Sequence, residues 1–168
     1  MATSPCALPG ALRSRGFTLT EALIVMSILT VVLSMGLPTM TTFVREQRIR
    51  AVSFDLVSDL MLARSEAIKR SGVISLGGQG QGWVEGWQVR VEEGLHQGTV
   101  LQQRGAPGNQ VLMAGTDRIE FDRNGRLAAG GTAIIEIRDS ARDLARRCIT
   151  IDLSGMPQAH EVQAGRCP

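Results

Sequence analysis

Ala22 to Leu37 is a run of sixteen residues without a charge, and Glu21 stands directly before it. The run is apolar all round rather than along one stripe, which rules out the surface helix of a water-soluble domain. At 1.5 Å of rise per residue it covers about 25 Å, near the hydrocarbon thickness of a bilayer. An acid at the mouth of such a segment is costly in lipid and therefore marks a functional site. Gly36 and Pro38 close the run, and Pro38 is expected to weaken or kink the helix there because it has no N–H to donate.

The residues upstream set the order of events. Met1 to Gly16 carries Arg13 and Arg15 and no acid. A secretory signal is cut after its apolar core, at small residues. Here the expected cut, between Gly16 and Phe17, lies before the core, so the apolar helix stays on the mature chain. Removing the leader takes Lys+Arg from 18 to 16 against 16 Asp+Glu, which leaves a formally neutral chain. Neutrality gives no global reason to expect nucleic acid binding. The two leader arginines favour a cytoplasmic N-terminus.

Arg15-Gly16-Phe17-Thr18-Leu19-Thr20-Glu21 and the apolar run resemble the class III leader of type IV prepilins and type II secretion pseudopilins. The resemblance implies a membrane peptidase that cuts after Gly16 and methylates Phe17. It also implies that Glu21 is the glutamate that guides assembly, by attracting the N-terminal amine of a neighbouring subunit. The chain would then sit in the bacterial inner membrane as a single-pass protein. Its N-terminus would be cytoplasmic and its C-terminal head periplasmic until it enters a filament with other pilins or pseudopilins.

Beyond Pro38 the pattern becomes amphipathic. Ile49, Val52, Leu56, Leu60, Ala63 and Ala67 recur at steps of three and four and predict a helix face turned to a core. Phe54, Val57, Met61 and Ile68 are read as widening that stripe. Gly72 is read as the stop. One long helix over about Phe17 to Ser71 follows, half in lipid and half packed on a head.

After Gly72 the chain reads as β-structure. Val73–Leu76, Trp83–Glu92, Thr99–Gln103, Gln110–Met113, Arg118–Phe121, Thr132–Arg138 and Arg147–Leu153 are the strand candidates. Gly77 to Gly82 reads as a flexible loop without the Lys of a phosphate cradle. Asp122-Arg123-Asn124-Gly125 and Ser154-Gly155-Met156-Pro157 read as turns. Trp83 and Trp87 are expected in the core. The span from Gly94 to Gly115 is the candidate contact loop. A helix followed by antiparallel strands is an α+β plan.

Several later stretches resemble the GspH/FimT branch of pilin-like proteins: Ala63–Arg70, Gly82–Val89, Ile119–Arg126 and Cys148–Gly155. The expected organisation is a leader at 1–16, a transmembrane and filament-core helix at 17–38, an amphipathic half-helix at 39–71 and a β-rich head at 72–168. The expected function is that of a minor pilin or pseudopilin. An alternative is a minor pilin that binds DNA during uptake. DNA-binding members of the branch carry a Gly-Arg-x-Arg loop in the last hairpin, and Gly155-Met156-Pro157-Gln158 departs from it. Arg146, Arg147 and Arg166 are the remaining DNA candidates, interleaved with Asp139, Asp143, Asp152 and Glu161.

Cys6 leaves with the leader. Cys148 and Cys167 stay on the exported side, where they are either a disulfide or two free thiols; a bond would contribute about 3 kcal/mol for a loop of that length. An anchored periplasmic enzyme is a third reading. His96, His160, Cys148 and Cys167 lack metal-ligand spacing, and Ser154 lacks the frame of a nucleophile elbow, so no catalytic residue, metal or cofactor is assigned.

Overall fold

A computed structural model of the chain describes residues 16–94, 96–140, 146–162 and 167, without the side chains of residues 35–39. Helix α1 runs over Leu19–Arg70, 52 residues, and the eight strands follow it in the sequence. By its contacts the chain divides into a unit ending at Met40 and a unit from Thr41 to Pro168.

In the first unit α1 begins on Thr18. The Glu21 backbone N–H donates to Thr18 Oγ1 at 3.2 Å, and the Ala22 N–H donates to the Thr18 carbonyl at 3.1 Å. Thr18 is thus the N-cap and Glu21 the third helical residue, the spacing of a capping box. Every described side chain from Phe17 to Ser34 is exposed. The hydroxyls in this stretch turn inward on the backbone: Ser27 Oγ donates to the Leu23 carbonyl (2.8 Å), Thr30 Oγ1 to Met26 (2.7 Å) and Ser34 Oγ to Val31 (2.7 Å). These three hydroxyls are satisfied within the helix, as an apolar environment demands. The helix continues through Gly36 and Pro38 without a break. Among the described residues no helix is long and apolar enough to cross a membrane.

In the second unit the face formed by Ile49, Val52, Leu56, Leu60, Ala63 and Ala67 is buried. All six belong to one buried cluster with residues of both sheets, in which the larger side chains supply most of the apolar volume. Phe54, Met61 and Ile68 do not widen this face; they are 68%, 40% and 49% exposed. Phe54 lies two residues from both Val52 and Leu56, about 200° around a 3.6-residue helix, whereas Met61 and Ile68 each follow a core position by one residue, about 100° around, and Ile68 lies beside Gly125.

The helix ends in a Schellman motif. The Ser71 N–H donates to Ile68 O and the Gly72 N–H to Ala67 O, both at 3.2 Å. Ser71 takes the left-handed conformation, with φ of 50°. Gly72 is therefore not the residue that reverses the chain, although it follows it. The reversing position is filled by a serine, which bears the steric cost of its Cβ there.

Two four-stranded antiparallel sheets complete the unit. The first has the order β3 (Val100–Arg104), β2 (Gly82–Val91), β1 (Ile74–Gln79), β5 (Arg118–Phe121). The second has the order β4 (Val111–Gly115), β6 (Ala133–Asp139), β7 (Arg146–Ile151), β8 (Pro157–Val162). Strand β6 shows strict alternation of buried and half-buried residues. Strand β1 runs through Gly77 and Gly78 to Gln79, where a flexible loop was expected. At Gly78 a Cβ would lie 2.5 Å from the Gly82 carbonyl carbon, so the close return of the chain requires glycine. The span from Gly94 to Gly115 contains β3 and β4 and is not one long loop. Strand β8 was not expected; its residues are mostly exposed and show no apolar alternation.

A polar group locks the helix to the first sheet. Asp59 is 3% exposed. It accepts from Trp87 Nε1 at 2.8 Å and from Arg104 Nε at 3.0 Å. The pairing raises the pKa of Arg104, chiefly through the hydrogen bond to Asp59. Trp87 is buried with Trp83 in the core.

Substituting Ser71 by Gly is expected to stabilise the fold by about 1 kcal/mol, because Gly adopts the left-handed cap without steric cost. Urea unfolding monitored by tryptophan fluorescence checks this; an unchanged or lower midpoint contradicts the cap assignment.

Candidate assembly site and head surfaces

The residues expected to serve processing and assembly lie together at the start of the described chain. Gly16 has no heavy atom within 4 Å of where a Cβ would be, and Phe17 is exposed. Glu21 is exposed in the first turn of α1. An acid there is favoured by the helix dipole and by its capping position, independently of any other role. The sequence signal for that cap is the pattern Thr18-Leu19-Thr20-Glu21.

A second feature lies on α1 within the head. Val44, Gln47, Ala51, Phe54, Ser58, Met61, Ser65 and Ile68 follow one another at alternating steps of three and four, and all are exposed. None is charged. This is a 3.5-residue repeat, the spacing that keeps one seam of a helix facing another helix. Large side chains (Phe54, Met61, Ile68) alternate with small ones (Ala51, Ser58, Ser65), which suits close approach of a partner.

A third feature joins the stretches that carry the branch resemblance. Arg64, in the last turns of α1, donates from Nε to the Gly125 carbonyl at 2.9 Å and from Nη1 to Met156 Sδ at 2.9 Å. It thereby ties the turn after β5 to the turn after β7. Each turn is held by its own aspartate. Asp122 Oδ1 accepts from the Asn124 N–H (2.8 Å) and the Arg126 N–H (2.9 Å). Asp152 Oδ1 accepts from the Ser154 N–H (2.9 Å) and the Met156 N–H (3.4 Å). Gly125 and Gly155 have φ of 72° and 76°. A Cβ on Gly155 would strike the Gly125 carbonyl. Asn124 does not take positive φ, so the turn rests on Gly125 alone.

The remaining candidates are placed as follows. Cys148 and Cys167 form a disulfide with a Cα–Cα distance of 5.6 Å. Arg146 faces Glu136 at 3.3 Å and Arg147 faces Glu161 at 3.3 Å. Both arginines are thus engaged by carboxylates on the second sheet. Arg166 lies outside the described residues. No group of three or more metal-capable side chains occurs among the described residues.

Comparison with known proteins accords with this arrangement. Residues 12–37 match the prokaryotic N-terminal methylation motif. Residues 54–155 match the family model described as Type II transport protein GspH. Two crystal structures of the type IV minor pilin FimU from Pseudomonas aeruginosa share the fold. Both are 19% identical to this chain, with TM-scores of 0.61 and 0.58, covering 73% and 68% of this chain and 98% of theirs. A search of curated proteins gave no match. The chain is a pilin-like protein of α+β fold. It belongs to the GspH family, and its function is that of a minor pilin or pseudopilin, a structural protein.

Acid should loosen the two turns. Hydrogen bonding to the Arg126 N–H first, and to Asn124, holds the Asp122 carboxyl below its ordinary value. Ser154 first, and the Met156 and Ser154 N–H groups, do the same for Asp152. A lowered folded pKa gives stability that is present above the unfolded value, 3.8, and lost as pH falls through the folded one. The urea midpoint should therefore drop below about pH 4, and the Asp122→Asn, Asp152→Asn double variant should drop less. An equal acid drop in the double variant contradicts the assignment.

Proposed function

We propose that this chain is cut between Gly16 and Phe17 by prepilin peptidase and methylated on Phe17. It is then held in the inner membrane by residues 17–38 and drawn from there into a pilin-type filament by Glu21. Residues 1–16 are the leader, 39–71 the amphipathic half of the helix and 72–168 the periplasmic head. The observation that carries this reading is the exposed acid at the start of an exposed apolar helix whose hydroxyls are all internally bonded. The span extends over the sequence run to Leu37, three residues beyond the last described apolar-segment side chain.

In lipid, helices associate through van der Waals packing and satisfied polar groups rather than through the hydrophobic effect. Glu21 and the amine of a neighbour's Phe17 neutralise each other in a poor dielectric and set axial register. Burying both ions is expensive, but removing one leaves the other unpaired. The uncharged seam from Val44 to Ile68 then receives a helix of a neighbouring subunit.

Glu21→Ala and Glu21→Gln separate the two roles of this residue. Gln keeps the capping capacity and loses the charge. We expect both variants to be processed and both to fall at least about tenfold in sheared filament fractions, quantified by immunoblot, the size of effect that follows from about 1.4 kcal/mol. Normal incorporation of Glu21→Gln contradicts the charge pairing. A bulky residue at Gly16 should leave the chain full-length and unmethylated by intact mass; a mature N-terminus at Phe17 in that variant contradicts the cleavage assignment.

A further inference from the structure

Strand β5 is an edge of the first sheet, and its outward side is only partly closed. The Gly78 N–H donates to the Asp117 carbonyl at 3.4 Å, so Asp117, Ile119 and Phe121 turn their backbone groups to β1. Arg118 and Glu120 turn theirs the other way. On that side the Glu120 carbonyl accepts from the Ala128 N–H at 2.9 Å, and the Asp122 N–H donates to the Arg126 carbonyl at 2.8 Å. The next link along the edge runs from the Thr116 N–H to the Ile134 carbonyl, at 2.9 Å.

Between the links at Glu120 and Thr116 the two sides differ in length. Residues 129–133 lie opposite residues 117–119, and the longer side bows outward through Gly130 and Gly131, whose φ values are 68° and 81°. A cleft of about 270 Å³ opens under the bow. Thr116, Arg118 and Glu120 border it on the strand side, and Leu127, Ala129 and Ala133 on the other. Among the described residues the Arg118 N–H, the Arg118 C=O and the Glu120 N–H have no hydrogen-bond partner. An unpaired strand edge is a template for another strand.

The chemistry of the occupant follows from these groups. The order N–H, C=O, N–H along one edge is answered by the C=O, N–H, C=O of an extended peptide backbone. The volume lies below the roughly 300–1,000 Å³ of small-molecule sites and suits a residue or two of peptide. The Arg118 and Glu120 side chains already meet each other at 2.8 Å, and the opposite wall is apolar. An uncharged segment with a small apolar side chain therefore fits. The bow stands beside the edge, so the β5 strands of two copies cannot lie edge to edge, whereas a narrow chain end or loop can enter.

We propose that the β5 edge at Arg118 receives an extended, uncharged segment of a different protein chain. Main-chain hydrogen bonds to that segment fill the gap in the ladder between Glu120 and Thr116, and a small apolar side chain of the segment rests against Leu127, Ala129 and Ala133. Helix α1 takes no part in this contact, so it stands or falls separately from the assembly role of α1.

The test uses the full chain, ¹⁵N-labelled in detergent micelles. The probe is acetyl-Thr-Val-Ala-Val-Thr-amide, and its control is the same peptide N-methylated on the three central residues, which lacks their main-chain donors. We expect saturable shifts of the Arg118 and Glu120 amide signals with the probe and at least tenfold weaker binding of the control. Hydrogen exchange of the Arg118 amide should be at least tenfold faster than that of Ile119 in the free chain and should slow by at least tenfold at saturation. Arg118→Pro deletes the outward N–H at an edge position that tolerates proline, and should abolish binding; Arg118→Ala keeps the N–H and should bind as the parent does. Ala129→Leu fills the cleft from the bow and should weaken binding with Arg118 intact, which decides the matter if the proline variant does not fold. No saturable shift, equal binding of the N-methylated control, or binding retained in a folded Arg118→Pro overturns the proposal. Shifts of the Arg118 amide that grow with protein concentration and need no peptide assign the edge to a second copy of this chain and overturn it as well.

Discussion

The head depends on one face of one helix. Ile49, Val52, Leu56, Leu60, Ala63 and Ala67 form the dry floor on which the strands of both sheets lay their apolar sides. Burial of that face at roughly 25 cal/mol per Å² of apolar surface is the main favourable term. Asp59 fixes where the first sheet sits along the helix, because its carboxylate must meet Trp87 and Arg104 at once. The price of burying that carboxylate is offset only by two good hydrogen bonds, so the arrangement has little freedom to slide. Arg64 performs a similar task further along α1, where it holds two turns from distant parts of the chain against each other.

With one face committed to the core, the opposite face of the same helix becomes informative. A helix that only had to cover a head would carry charge on its outer side. Here the outer line from Val44 to Ile68 carries none, while Arg45, Arg50, Asp55 and Glu66 beside it are drawn into ion pairs. The uncharged line and the Thr18-capped start of α1 serve one purpose in the assembly proposed above. In that proposal the helix is a packing surface for the helices of neighbouring subunits.

Much of this was legible in the chain. The core stripe is legible because helical periodicity and burial obey the same 3.6-residue rule. Strands β6 and β7 are legible because their isoleucines cluster. The exposed positions of Phe54, Met61 and Ile68 were not, because an apolar side chain in a pattern does not say whether its partner is in the same chain. Ser71 was hidden by the neighbouring Gly72, which takes the expected helix-stop residue but not the reversing conformation. Strand β8 has no apolar alternation, since it is an exposed edge held by pairing with β7. The Asp59–Trp87–Arg104 group joins residues 28 and 45 positions apart and leaves no local trace. The Thr18 cap was written in plain view as Thr-x-x-Glu and was obscured by the other role that Glu21 suggests.

The account is tested most directly by the reactivity of one thiol on the outer face of α1. With the leader removed and Cys148 bonded to Cys167, Phe54→Cys supplies a single free thiol. It should react readily with a maleimide in the membrane-held chain and be protected in sheared filaments, while a thiol placed at exposed Val84 stays reactive in both. Equal reactivity of the thiol at position 54 before and after assembly would contradict the claim that this face of the helix is where neighbouring subunits pack.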